Sequence, residues 1–141
     1  MGYRAIFDEN LKLKAELDLL QDVLENVGSC VYAKDLNSRY IYANAKSCEW
    51  LGASLDQVLG QNDSQFFSPE TAAQILKNDQ MVLDSGQTQV LEMTAVTQAA
   101  GEPRHLLATQ APLRNKRGQL IGVCGVTTDI TREKRVAKLA A

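Results

Sequence analysis

Nucleophilic or acid–base chemistry in this chain would have to be assembled from few side chains. They are the single histidine, His105, the thiols Cys30, Cys48 and Cys124, and the acids Asp63 and Asp79. A thiol beside an imidazole can form a thiolate nucleophile, but no recognised nucleophile–base spacing links His105 to any of the three cysteines. The thiols show no C-x-x-C pairing and no histidine cluster, so neither a structural zinc site nor any other metal site is expected. Scattered thiols fit a reducing compartment, where cysteine behaves as a small hydrophobe. The preferred reading is therefore core thiols, a histidine on the surface or sheet, and no enzyme.

The elements that would position these groups fit within 141 residues, enough for one compact domain plus a helical extension. Lys and Arg number 15 against 17 Asp and Glu, a balance that carries no basic footprint for nucleic acid. No stretch approaches the ~20 apolar residues of a membrane span, and no signal-peptide core is evident, so membrane insertion by this segment is not expected. A cytoplasmic location follows as the expectation.

Asp8 to Asn26 reads as a helix, Leu-rich and free of Gly and Pro. Ile6, Leu13, Leu17, Leu20, Leu24 and Val27 recur on alternating steps of three and four, with Asn10 in the remaining slot. That 3.5-residue period is the seam two supercoiled helices share, and it predicts a homodimer. Leu19 and Val23 widen the stripe, so packing on its own domain stays open.

Beyond Gly28 the pattern changes to β. Cys30–Ala33 and Arg39–Tyr42 flank a turn-forming Asp35-Leu36-Asn37-Ser38, a hairpin. Asn44 can cap a short helix ended by Gly52, and Ser54-Leu55-Asp56-Gln57 has the form of a capping box. Ser68-Pro69-Glu70 opens a longer helix to about Ser85, with Gly86 as its cap. Three strands follow, Thr88–Thr97, Arg104–Leu113 and Gln119–Thr128, and then a last helix. Strands segregated from helices predict an α+β fold with an antiparallel sheet. Leu107 and Ala111 make the second face of the Arg104–Leu113 strand apolar, which calls for cover by the first helix or a second subunit.

Several stretches in this order resemble the PAS sensory-domain family. Lys34-Asp35-Leu36-Asn37-Ser38-Arg39-Tyr40 with Asn44 looks like its first hairpin and helix, except that Ser38 stands where Gly is common. Leu59-Gly60-Gln61-Asn62-Asp63 with Phe66-Phe67 is similar to the G-x-x-D…F segment. Ile121-Gly122-Val123 and Asp129-Ile130-Thr131 match the last strand and the D-I-T exit.

The resemblance implies a five-stranded antiparallel sheet with short helices on one face, preceded by the amphipathic helix. Residues 1–27 are then the dimerising helix, 28–131 the sensory domain, and 132–141 the start of a signalling helix. It implies a sensor or relay of a larger signal-transduction protein, such as a two-component histidine kinase or a diguanylate cyclase. The rival is a protein–protein interaction or dimerisation module with a filled core. The cofactor is left unknown. Asp63 replaces the reactive thiol of flavin-photochemical members, and no histidine lies on the 68–85 helix where haem would be held, so flavin and haem are both disfavoured. Inward positions implied by the family, a candidate small-molecule pocket, are Tyr32, Ile41, Asn62, Asp63, Phe66, Leu76, Asp79, Leu106, Ala108 and Cys124. Asp63 and Asp79 would need a partner or a cationic ligand there, unless they cap a turn or bond backbone amides. Asp129 would tie the last strand to the exit helix, and Thr131 would cap that helix.

Overall fold

The computed structural model describes residues 2–140, so Met1 and Ala141, the outer ends of the two expected terminal segments, lie outside the described residues. The chain opens with α1, Tyr3–Asn26, and enters a hairpin of β1, Cys30–Asp35, and β2, Tyr40–Ala43. Three helices follow: α2, Ala45–Leu51; α3, Leu55–Val58; and, after a 3-10 turn at Asp63–Gln65, α4, Pro69–Ser85. Strands β3, Gln89–Val96, β4, Pro103–Arg114, and β5, Leu120–Asp129, lead to α5, Thr131–Ala140. The five strands pair in the order β2-β1-β5-β4-β3, and every pairing is antiparallel. This is the α+β architecture the sequence predicts.

Local capping chemistry sets the boundaries. Asn44 Oδ1 accepts from the Ser47 amide, and Gly52 closes α2 in the left-handed region at φ 72°. Ser54 and Gln57 complete both halves of the capping box. Ser68 caps α4, Pro69 occupies its first turn, and Gly86 ends it at φ 65°. Each cap satisfies amides or carbonyls that a helix end leaves unpaired.

One side of the sheet packs on the helices through Tyr40, Ala43, Leu51, Val58, Phe66, Phe67, Ala95 and Leu106. The other side of the sheet leaves Val90, Leu107 and Val126 exposed. The first helix does not supply their cover. No residue of α1 is buried, and its last turn is held near α2 by Asn44 Nδ2 donating to the Leu24 carbonyl (2.9 Å) and by the Tyr42 hydroxyl donating to Glu25 (2.9 Å).

The β1–β2 turn carries a cost. Ser38 is the one non-glycine residue described with a left-handed backbone, φ 59°, and its buried hydroxyl has no partner among the described residues. Ser38→Gly removes both the steric penalty and the stranded hydroxyl, and should stabilise the chain by about 1 kcal/mol. A melting temperature that fails to rise would contradict this account of the turn.

Candidate functional site

On β1, alternation turns Cys30, Tyr32 and Lys34 toward the helices. On β4 the same face carries Leu106, Ala108 and Gln110, and on β5 it carries Gly125 and Thr127. Across from them α4 presents Ile75, Asn78, Asp79 and Val82, one stripe at helical spacing. The two surfaces meet around a small cavity of about 40 Å³, walled on its apolar side by Trp50, Leu51, Phe67 and Met93.

Beside that cavity lies a buried charge cluster. Lys34 Nζ donates to Asp63 Oδ2 at 2.8 Å and to Asp79 Oδ2 at 2.6 Å, and all three residues are almost fully buried. The Tyr40 hydroxyl donates to Asp63 Oδ1 at 2.5 Å, and Gln110 Nε2 donates to both Asp79 Oδ1 and the Tyr32 hydroxyl at 3.2 Å. Gln89 Nε2 in turn holds Gln110 Oε1 at 2.9 Å. The ammonium sits 5.4 Å from the centroids of both the Tyr32 and Tyr40 rings.

Burial alone would push the Lys34 amine down. The Asp63 and Asp79 carboxylates overcome that and hold it above its ordinary value. Burial pushes the Asp79 carboxyl up, and Lys34 and Gln110 bring it only part of the way back. Tyr40 is raised well above its usual value by burial and then by the Asp63 charge. One ammonium thus serves two carboxylates. Close packing fixes the site: a Cβ built on Gly125 would fall 2.5 Å from the Tyr32 hydroxyl oxygen, so the glycine is what lets that ring lie across β5.

Of the residues expected in the pocket, Tyr32, Asp63, Leu106 and Ala108 line the cavity, and Asp79 stands behind Lys34 and Gln110. Five others lie elsewhere. Ile41 follows the inward Tyr40 by one residue and therefore faces solvent. Cys124 lies between the inward Val123 and Gly125 and points to the opposite face of β5. Leu76 falls off the buried stripe of α4 and is half exposed. Phe66 packs edge-on against Tyr40 in the core, and it is Phe67 that reaches the cavity. Asn62 caps the 3-10 turn by accepting from the Ser64 amide. Neither acid takes the modest role weighed for it, since Lys34 is the partner of both. His105 lies exposed on the outer side of β4 against Thr94.

The exit is built around Asp129. Its Oδ2 accepts from Arg104 Nε at 2.6 Å, and its Oδ1 accepts from the Thr131 amide (2.9 Å) and hydroxyl (2.5 Å). Burial tends to raise this carboxyl, but the bonds from Thr131 and Arg104 leave it below the usual carboxylate value. Thr131 does not cap α5 as expected. Its hydroxyl turns back to the sheet, accepting from the His105 amide at 2.9 Å, and α5 starts at Thr131 itself.

A family model described as the PAS fold matches residues 24–135. The chain belongs to the PAS family. Among curated proteins it is 37% identical over 122 residues to the methanogenesis regulatory histidine kinase FilI of Methanothrix harundinacea, an alignment spanning 86% of this chain and 14% of that protein. It is 31% identical over 124 residues to a diguanylate cyclase of Vibrio cholerae, spanning 87% of this chain and 39% of the other. The chain therefore corresponds to a minor part of these multidomain signalling relatives. Among solved structures, a PAS domain from Colwellia psychrerythraea superposes with a TM-score of 0.69 at 20% identity, covering 82% of this chain and 98% of that one. VqmA of Vibrio cholera, solved with a ligand and DNA, superposes at 0.72 and 22% identity, covering 82% and 51%. Both show the fold. No helix among the described residues is long and apolar enough to cross a membrane.

Proposed function

We propose that this PAS domain senses a small molecule in the cavity beside Lys34 and relays its occupancy through α1 and α5 to an output domain, a histidine kinase or a diguanylate cyclase. The supporting observation is where the cavity wall leads. Cys30 and Thr127 are paired neighbours on β1 and β5, and both line the cavity. Cys30 opens the strand that α1 feeds, and Thr127 lies just ahead of Asp129, whose carboxylate grips α5 through Thr131. A ligand that shifts these two strands moves both terminal helices without a further intermediary. The same reading makes the chain a homodimer through Leu13, Leu17, Leu20, Leu24 and Val27, places it in the cytoplasm and gives it no catalytic role of its own. A filled-core dimerisation module would account for the cavity's small size, but gives no role to the paired Cys30 and Thr127, which line it on the strands that lead to the two terminal helices.

Transplanting this chain into the Vibrio cholerae diguanylate cyclase in place of the matching region tests the relay. Asp129→Asn weakens the grip on α5, and Thr127→Val alters the cavity wall without touching the buried charges. Each should change the chimera's cyclase output by about fivefold or more. Equal output from the parent chimera and both variants, at equal protein level, would overturn the relay.

A further inference from the structure

The two edges of the sheet are finished differently. At β2, Tyr40 donates its amide to the Gln61 carbonyl at 3.0 Å, and its carbonyl accepts the Gly60 amide at 2.8 Å. At β3 the edge is closed at its last residue, where Val96 donates to Thr71 Oγ1 at 3.1 Å and accepts from the Ser68 amide at 2.9 Å. Along an antiparallel strand, every second residue turns both backbone groups to the same side. The β3–β4 register runs unbroken from Gln89 to Val96, so Val90, Glu92 and Thr94 turn theirs outward as Val96 does. His105, opposite Thr94, agrees: its amide goes to Thr131 Oγ1 and its carbonyl accepts the Ile130 amide, both away from β3. The amides and carbonyls of Val90, Glu92 and Thr94 have no partner among the described residues. Such a row is a template for another strand.

Beside this edge runs a trough of about 740 Å³, with Gln74 and Met81 of α4 on one wall and Leu91 and Met93 of β3 on the other. An added strand would send alternate side chains into the trough, beside Leu91 and Met93, and the rest to the outer face, beside Val90, Glu92 and Thr94. Methionines make that wall adaptable to apolar side chains. Glu92 stands at the centre of the open row. Two copies of the chain paired about that centre would set Glu92 against Glu92, and like charges directly opposite are destabilising. A cation there is favoured instead. Glu92 already takes one, Lys134 of α5 at 2.8 Å, but both side chains are about half exposed, so exchanging that partner costs little. We propose that β3 accepts an extended peptide segment as a sixth strand, with lysine or arginine opposite Glu92 and an apolar residue on each side of it seated in the trough. Main-chain bonds to the three open residues supply affinity, and the alternate side chains supply selection. This edge is separate from the cavity beside Lys34 and does not depend on a ligand there.

The capped peptide Ser-Thr-Val-Lys-Val-Thr-Ser and its counterpart with Glu in place of Lys offer opposite charges in one strand-forming frame. At neutral pH, two-dimensional amide NMR on the whole chain should show the lysine peptide binding about fivefold more tightly than the glutamate one. At saturation, hydrogen exchange at the Val90, Glu92 and Thr94 amides should slow about tenfold or more, while Leu91 and Met93, already bonded to β4, keep their rates. Glu92→Lys, at an exposed position, should reverse the order of the two peptides. Binding that leaves those three amides unprotected would overturn strand addition. Equal binding of both peptides, or an order that Glu92→Lys does not reverse, would overturn the cation opposite Glu92. Protection that grows with protein concentration alone would give the edge to a second copy and overturn the peptide as its occupant. Binding by neither peptide at millimolar concentration would overturn the edge as a docking site.

Discussion

Lys34→Met should cost about 3–5 kcal/mol of folding free energy, because it strands two buried carboxylates that share one counterion. That is a large fraction of the stability of an ordinary domain. Urea unfolding at pH 7 would show it as a fall in midpoint with little change in slope. Removing the charges together, in Lys34→Met/Asp63→Asn/Asp79→Asn, should recover much of the loss, since neutral groups need no counterion. The pH dependence gives the sign independently. In the native chain Lys34 is held above its ordinary value, so its contribution is complete at neutral pH and is lost only as pH rises through that elevated value, in strongly alkaline solution. In the variant Asp79 loses the ammonium that partly offsets its burial, and its carboxyl is pushed up further. Carboxyls raised on folding stabilise most below their unfolded pKa and least once pH passes the folded one. The variant should therefore regain stability as pH falls from 7 toward 5. A variant as stable as the parent, or one that weakens on acidification across that range, would refute the cluster's assigned role.

Placing charge on the α1 seam should halve the mass of the particle in solution. Leu13 and Leu20 are 55% and 61% exposed in the single chain, so Leu13→Glu/Leu20→Glu costs the monomer fold almost nothing. In a two-helix seam each leucine contributes about 1.5–3 kcal/mol of burial, and four glutamates would replace that with mutual repulsion. Light scattering after size exclusion should move from twice the 15.5 kDa chain mass to the chain mass, with the circular dichroism of the sheet unchanged. A parent that runs at 15.5 kDa, or a variant that keeps the doubled mass, would remove the seam from the proposal.

Elements were legible in the sequence wherever a local rule dictated them. Ser54–Gln57, Ser68–Pro69, Gly52 and Gly86 mark helix ends through capping chemistry that needs no tertiary context. The site was legible only in part, because its decisive contacts span the chain. Lys34 lies 29 residues from Asp63 and 45 from Asp79, and no periodicity announces a lysine that faces inward. A signal existed nonetheless. Alternation from Tyr32 puts Lys34 on the buried face of β1, and two acids with no cationic partner were waiting for one. The same alternation, applied strictly from Tyr40 and Val123, would have sent Ile41 and Cys124 outward.

Asn44 is fully buried and joins three elements at once. Its side chain accepts from the Val31 and Ser47 amides and donates to the Leu24 and Ser29 carbonyls. Mechanically it is a pivot. The 24 residues of α1 form a rigid arm about 36 Å long, fixed near one end and free of buried contacts along its length. A tilt of about 5° at such a pivot, well under an ångström of movement at Asn44 itself, sweeps the far tip through about 3 Å. Displacements too small to disturb the core are in this way geared up to the scale at which the proposed seam between two such arms would repack.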